Sequence, residues 1–100
     1  MSNLDFVMKR IPYAEALAQL AEEASELAQA ALKMRRVIDG TNPTPVSLEA
    51  ALAVLVEETA DVELCLLILG MDEFMPEIQE TAKAKLKRWA SRLQEVDRNG

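Results

Sequence analysis

The sequence predicts an all-α protein, in which a helical hairpin plus a third helix assemble with other copies of the chain into a four-helix-type bundle. Half of the residues are hydrophobic but only 4% are aromatic, and Ala, Leu, Glu and Lys, which favour helix, are abundant. Apolar residues recur at helical spacing in three segments, and one segment is apolar on all sides.

The first predicted helix begins at Pro12, a residue type that suits the first turn of a helix. Apolar residues then recur in alternating steps of three and four, which is typical of a helix that buries one face. The pattern stops at Asp39 and Gly40, where glycine suits a C-terminal cap, and the prolines in TNPTPVS predict a loop. The apolar positions are Leu17, Leu20, Ala24, Leu27, Ala31, Met34 and Ile38.

The second predicted helix begins after Ser47, a suitable N-cap, and ends at Gly70. Its last part, LCLLIL at residues 64–69, is apolar all the way round, which a surface helix of a small monomer does not tolerate. We therefore expect another copy of the chain to bury this part, in a homodimer or a homotetramer. A third helix is predicted from near Asp72 or Pro76 to about Val96.

A chain of 100 residues is the size of one domain, so we expect a single helical domain over residues 1–100. It has an N-terminal arm at residues 1–11 and a frayed tail at residues 97–100. The N-terminus lacks the apolar region of a signal peptide, and no apolar run is long enough to span a bilayer. We expect a cytoplasmic protein without a membrane partner, in which the single Cys65 is a core thiol.

The charge pattern limits the possible chemistry. The formal net charge is −6 and the chain has no histidine. The negative charge disfavours nonspecific nucleic-acid binding through a broad basic surface. The absence of histidine removes the commonest catalytic base and the commonest zinc ligand. Any catalysis must therefore use carboxylates, lysines or arginines.

Two acidic pairs have a spacing that suits a metal ion. Glu23 and Glu26, like Glu58 and Asp61, are three positions apart, which places the members of each pair on one helix face with Cβ atoms about 5–6 Å apart. Glu58 lies in an apolar part of its helix, where a bare carboxylate is costly and metal coordination or protonation offsets the cost. Carboxylates from two helices suit Mg²⁺ or Mn²⁺, whose coordination is commonly completed by water and substrate phosphates. A solvated acidic face is the alternative interpretation.

The order EExxE, about thirty residues, then EExxD followed by an apolar helix, resembles the all-α nucleoside triphosphate pyrophosphohydrolases. This MazG-like superfamily includes dimeric dUTPases, dCTPases and phosphoribosyl-ATP pyrophosphohydrolases, and the resemblance covers roughly residues 15–95. It implies hydrolysis of a nucleoside triphosphate between the α- and β-phosphates, giving a nucleoside monophosphate and pyrophosphate. It also implies that Glu22 orients or deprotonates the attacking water, and that Mg²⁺ is held by Glu23, Glu26, Glu58 and Asp61.

Basic residues on the third predicted helix are candidates for holding the β- and γ-phosphates and for stabilising the leaving pyrophosphate. A solvated or ion-paired face is the alternative. Trp89 and Tyr13 fit packing in the core or at an interface better than stacking on a base. The candidate phosphate-binding residues are Lys83, Lys85, Arg88 and Arg92.

The sequence leaves the function open between three hypotheses. The first is a Mg²⁺-dependent nucleotide pyrophosphohydrolase that cleans the nucleotide pool. The second has the same chemistry, with phosphoribosyl-ATP as the substrate. The third is a helical oligomerisation or interaction module without enzymatic activity, whose acidic pairs are structural or merely exposed. No base-reading signature selects cytosine over uracil or a purine.

Overall fold

The chain is built from helices joined by short connections. The computed structural model describes all residues from Met1 to Gly100 and contains no β-strand, which confirms the predicted all-α class. The helices form two compact units, Met1–Gly70 and Met71–Gly100. The elements are α1 (Asn3–Arg10), α2 (Tyr13–Asp39), α3 (Leu48–Ile68), a 3₁₀ turn (Met71–Phe74) and α4 (Met75–Asn99).

Helix α1 is an addition to the three predicted helices and lies within the predicted N-terminal arm. Its N-cap is Ser2, whose Oγ accepts a hydrogen bond from the backbone N–H of Asp5 at 3.1 Å. Asp5 in the first turn and Lys9 and Arg10 in the last turn complement the helix dipole. These local signals account for a helix in this short segment, and α1 packs against α3.

The predicted ends of the next two helices are confirmed to within two residues, since α2 begins at Tyr13 and α3 ends at Ile68. Helix α2 follows Pro12 and ends before Gly40, which adopts φ 77° and donates its backbone N–H to the carbonyl of Arg36. This left-handed conformation favours glycine over residues with a Cβ. Helix α3 is capped by Ser47, whose Oγ accepts a hydrogen bond from the N–H of Ala50 at 3.1 Å.

Helices α2 and α3 pack as an antiparallel hairpin. Glu23 lies close to Glu58, and Ala16, which is nearer the start of α2, lines a cavity together with Cys65, which is nearer the end of α3. Residue numbers that increase along α2 therefore face residue numbers that decrease along α3. The same register places Ala30 of α2 opposite Ala51 of α3, and both are buried. Matching layers therefore recur every seven residues, as they do in coiled-coil-like packing. The layers on both sides of the glutamates consist of small side chains.

Large apolar side chains of α3 are only partly covered within the chain. Cys65 and Leu69 are each 6% exposed, but Leu64 is 54% exposed and Leu67 is 36% exposed. The helices of one chain therefore bury one side of the LCLLIL stretch and leave the other side accessible. A membrane crossing is not supported by any helix, because none combines the required length with the required apolar character.

The second unit consists of the 3₁₀ turn and α4. Helix α4 starts within the predicted range and ends at Asn99, beyond the predicted end at Val96. It contains no buried residue. Trp89 on this helix is exposed, as is Tyr13 in the first unit, so neither belongs to the core of a single chain. Packing of these two side chains at an interface stays a prediction.

Candidate metal centre

Three carboxylates converge between α2 and α3. Glu23, Glu26 and Glu58 each place one carboxylate oxygen so that all three oxygens lie within 4.8 Å of one another. Glu23 and Glu26 share a face of α2 because they are three positions apart, and α3 supplies Glu58 from the opposite side. The hairpin therefore brings together three of the four predicted metal ligands, which we call the acidic cluster.

Two oxygens of the acidic cluster are buried without a partner. Oε2 of Glu23 and Oε2 of Glu58 are inaccessible to solvent and accept no hydrogen bond. A buried carboxylate oxygen in this state costs free energy because it has lost its water without gaining a donor. A cation held between the two helices would supply the missing partner. Glu26 is exposed, so the cluster is open to solvent on one side.

Asp61, the fourth predicted ligand, lies outside the group of three oxygens. It is half-buried on α3, one helical turn after Glu58. Burial raises the pKa of Glu23, and the negative charges of Glu26 and Asp61 raise that pKa further. Asp61 is therefore close enough to act on the cluster electrostatically. Its role as a metal ligand stays a prediction.

Gln19 is a member of the site that the sequence prediction did not include. Its Nε2 donates a hydrogen bond to Oε1 of Glu23 at 2.8 Å. This bond holds one oxygen of Glu23 and opposes the rise in the pKa of that carboxyl group. The sequence contains the signal, because a glutamine four positions before a glutamate shares a helix face with it.

Cys65 is a buried free thiol beside the acidic cluster. Burial raises its pKa, and the charges of Glu23 and Asp61 raise the pKa further. Such a thiol stays protonated at neutral pH, and the protonated form is not the nucleophile. The prediction of a core thiol is confirmed.

The remaining predicted site residues are all exposed. Glu22 precedes Glu23 on α2 and is not part of the acidic cluster. The four basic candidates lie on α4, where Arg88 and Arg92 border a surface cavity of ≈ 370 Å³ together with Lys87. Lys83 and Lys85 do not border that cavity. The roles of Glu22 in catalysis and of the α4 cations in phosphate binding stay predictions.

Comparison with protein-family models, curated proteins and solved structures gives no match for this chain. The resemblance to the MazG-like superfamily therefore depends on the two acidic motifs, and membership stays a prediction. The geometry of the acidic cluster is independent of that resemblance. Carboxylate oxygens from two helices lie within 4.8 Å of one another. Carboxylate oxygen is the type of ligand that hard divalent cations prefer.

The raised pKa of Glu23 predicts how the metal-free protein responds to pH. The folded state holds the proton of Glu23 more tightly than the unfolded state, so stability falls as pH rises from the unfolded pKa through the folded pKa. The variant Glu23→Gln lacks this dependence. We expect the melting temperature of the variant to rise relative to that of the parent as the pH increases from about 4 to about 8, with both proteins in chelator-treated buffer. A difference in melting temperature between the two proteins that stays constant across this pH range would contradict the prediction.

Proposed function

We propose that this chain is a Mg²⁺-dependent nucleotide pyrophosphohydrolase that converts a nucleoside or deoxynucleoside triphosphate into the monophosphate and pyrophosphate. The observation that carries the proposal is the convergence of Glu23, Glu26 and Glu58 with two buried oxygens that lack a partner. A donor set of oxygens suits Mg²⁺, with Mn²⁺ as the alternative. Carboxylate-held Mg²⁺ usually keeps positions for substrate phosphates, which favours a phosphorylated substrate.

Each residue of the site has a separate role in this proposal. Glu23, Glu26 and Glu58 would hold the ion, with Asp61 as the fourth ligand and Gln19 fixing the carboxylate of Glu23. When bound, Mg²⁺ supplies positive charge that offsets the charge of the phosphate oxygens. Because the proposed protein ligands are all carboxylates, the substrate phosphates would be bound by this positive charge and by basic side chains.

The hydrolysis itself needs a base and a stabilised leaving group. Glu22 is the proposed base, which accepts a proton from the attacking water. The water oxygen bonds to the α-phosphorus, and the bond from that phosphorus to the bridging oxygen breaks. Pyrophosphate leaves with the electron pair. The proposed phosphate-binding residues are Lys83, Lys85, Arg88 and Arg92.

We also propose that the chain works as a homodimer or homotetramer in the cytoplasm, where it cleans the nucleotide pool. The accessible leucines of the LCLLIL stretch support the oligomer, because several large apolar side chains left exposed on one helix are often covered by a partner. A second copy is the simplest partner, since it brings an identical apolar surface. The unpaired thiol of Cys65 supports a reducing compartment.

A panel of nucleotides with Mg²⁺ tests the proposed reaction. We expect release of pyrophosphate and monophosphate from at least one nucleoside triphosphate, and no release when a chelator removes the ion. Activity on phosphoribosyl-ATP alone would instead support the alternative hypothesis, in which phosphoribosyl-ATP is the substrate.

The interaction module without activity predicts a different set of results. No nucleotide would be hydrolysed, and titration calorimetry with Mg²⁺ or Mn²⁺ would show no heat. The melting temperature would also be the same with and without either ion, because a ligand that binds only the folded state must stabilise it. This combination would remove the enzymatic proposal.

A further inference from the structure

A mostly apolar cavity of ≈ 320 Å³ lies beside the acidic cluster, within the Met1–Gly70 unit. It is formed where the end of α1, the start of α2 and the end of α3 meet. Ile11 and Ile68 contribute to its apolar wall next to the Cys65 thiol, and Glu15 and Gln19 supply polar groups. This volume is at the lower end of the range for small-molecule pockets, and an apolar wall with few polar groups is typical of them.

Gln19 connects this cavity to the acidic cluster. Its side chain lines the cavity and also donates a hydrogen bond to Glu23. Glu15, Gln19 and Glu23 follow one another at intervals of four, so they lie along one face of α2. One helical turn advances about 5.4 Å, which places the cavity about one turn from the cluster. In a nucleotide, the sugar separates the α-phosphate from the base by a comparable distance.

We propose that this cavity receives the base of the nucleotide and that Glu15 selects bases with an exocyclic amino group, which are cytosine, adenine and guanine. The inference depends on the proposed function, because the acidic cluster must hold the phosphate end. An ionised carboxylate only accepts hydrogen bonds, and an exocyclic amino group donates them. Uracil and thymine have no exocyclic amino group: a carbonyl oxygen, which the carboxylate repels, stands at the position of the cytosine amino group, and the ring N3–H is the one donor on their pairing edge. Gln19 both donates and accepts, so it suits a neighbouring ring atom.

Steady-state kinetics on five deoxynucleoside triphosphates test the selection. For the parent protein we expect kcat/KM on dCTP, dATP or dGTP to exceed that on dUTP and dTTP by about tenfold to a hundredfold. Glu15→Gln should reduce this ratio to near one, mainly through KM, because glutamine pairs with carbonyl and amino groups alike. Glu49→Gln is the matched control. It removes the same charge from an exposed glutamate in the first turn of α3 and should leave the ratio unchanged.

Titration of the metal-free protein with the nucleosides deoxycytidine and deoxyuridine, which carry no phosphate for the carboxylates to repel, separates the two proposals when it is followed by NMR at the amides of Ala16 and Ile68. Larger shifts with deoxycytidine, without turnover of any triphosphate, would support base selection and remove the hydrolase. Equal kcat/KM on all five triphosphates, or an unchanged ratio in Glu15→Gln, would overturn base selection and leave hydrolysis standing. Neither turnover nor shifts would overturn both proposals.

Discussion

Replacing Glu23 or Glu58 by glutamine should abolish Mg²⁺ binding and lower turnover by about a hundredfold or more, while the helix content stays that of the parent. Glutamine keeps the size and helix propensity of glutamate but lacks the negative charge that binds a hard cation. Glu26→Gln should have the same effect, since its oxygen belongs to the same cluster. Titration calorimetry measures the binding, pyrophosphate release measures the turnover, and circular dichroism measures the helix content.

Two further variants control this experiment. Glu57→Gln removes the same charge from the exposed residue next to Glu58, and we expect normal Mg²⁺ affinity and normal rate. Glu22→Gln should leave the affinity unchanged and lower the rate, if its role is to activate water. Should Glu23→Gln and Glu58→Gln both bind Mg²⁺ as tightly as the parent, the paired-carboxylate site does not exist.

The metal-free proteins provide a readout that does not depend on activity. Glu58→Gln should raise the melting temperature in chelator, because it removes the charge of one of three carboxylates whose oxygens lie within 4.8 Å of one another. A loss of turnover together with this gain would exclude misfolding as the cause. A lower melting temperature would instead mean that the carboxylate of Glu58 stabilises the hairpin.

The second large effect is expected from Leu67→Glu, which should dissociate the oligomer or unfold the chain. Leu67 is 36% exposed in a single chain and lies in the stretch that we assign to the interface. An unpaired charge buried there costs about 3–5 kcal/mol, a large part of the stability of a small domain. Sedimentation and circular dichroism at micromolar concentration would detect either outcome.

Gln79→Glu is the matched control, since it adds one negative charge at an exposed polar position of α4. It should leave the assembly unchanged. The parent itself supplies a further test, because the melting temperature of an obligate oligomer rises with protein concentration. A folded parent monomer of 11.1 kDa at micromolar concentration would overturn the proposed assembly.

The long helices could be predicted from the sequence because each has several turns of apolar spacing and a recognisable end. Gly40 and Ser47 mark the boundaries of α2 and α3 through local interactions that involve only a few neighbouring residues. Helix α1 was not predicted because its 8 residues are too few for a strong periodic pattern. Its N-cap, Ser2 with Asp5 three positions later, was the available signal.

The candidate site was only partly predictable. Spacing within one helix places Glu23 beside Glu26, but it does not say which residue of α3 faces them. That depends on the register of the hairpin, which is set by packing between the two helices. The register brings Glu58 into the cluster and leaves Asp61 outside the group of three oxygens. The seven-residue interval from Glu58 back to Ala51 and forward to Cys65 is a sequence signal for this register.

The layers of small side chains in the hairpin have a consequence for how the protein can evolve. Ala16, Ala30 and Ala51 are buried, and closely packed interiors accommodate added volume poorly. A larger residue at any of them would push the two helix axes apart and separate Glu23 from Glu58. The accessible leucines of α3 face no such restriction from within the chain. The accessible apolar surface can therefore diverge by changes at the large residues, while the smallest residues preserve the distance between the carboxylates.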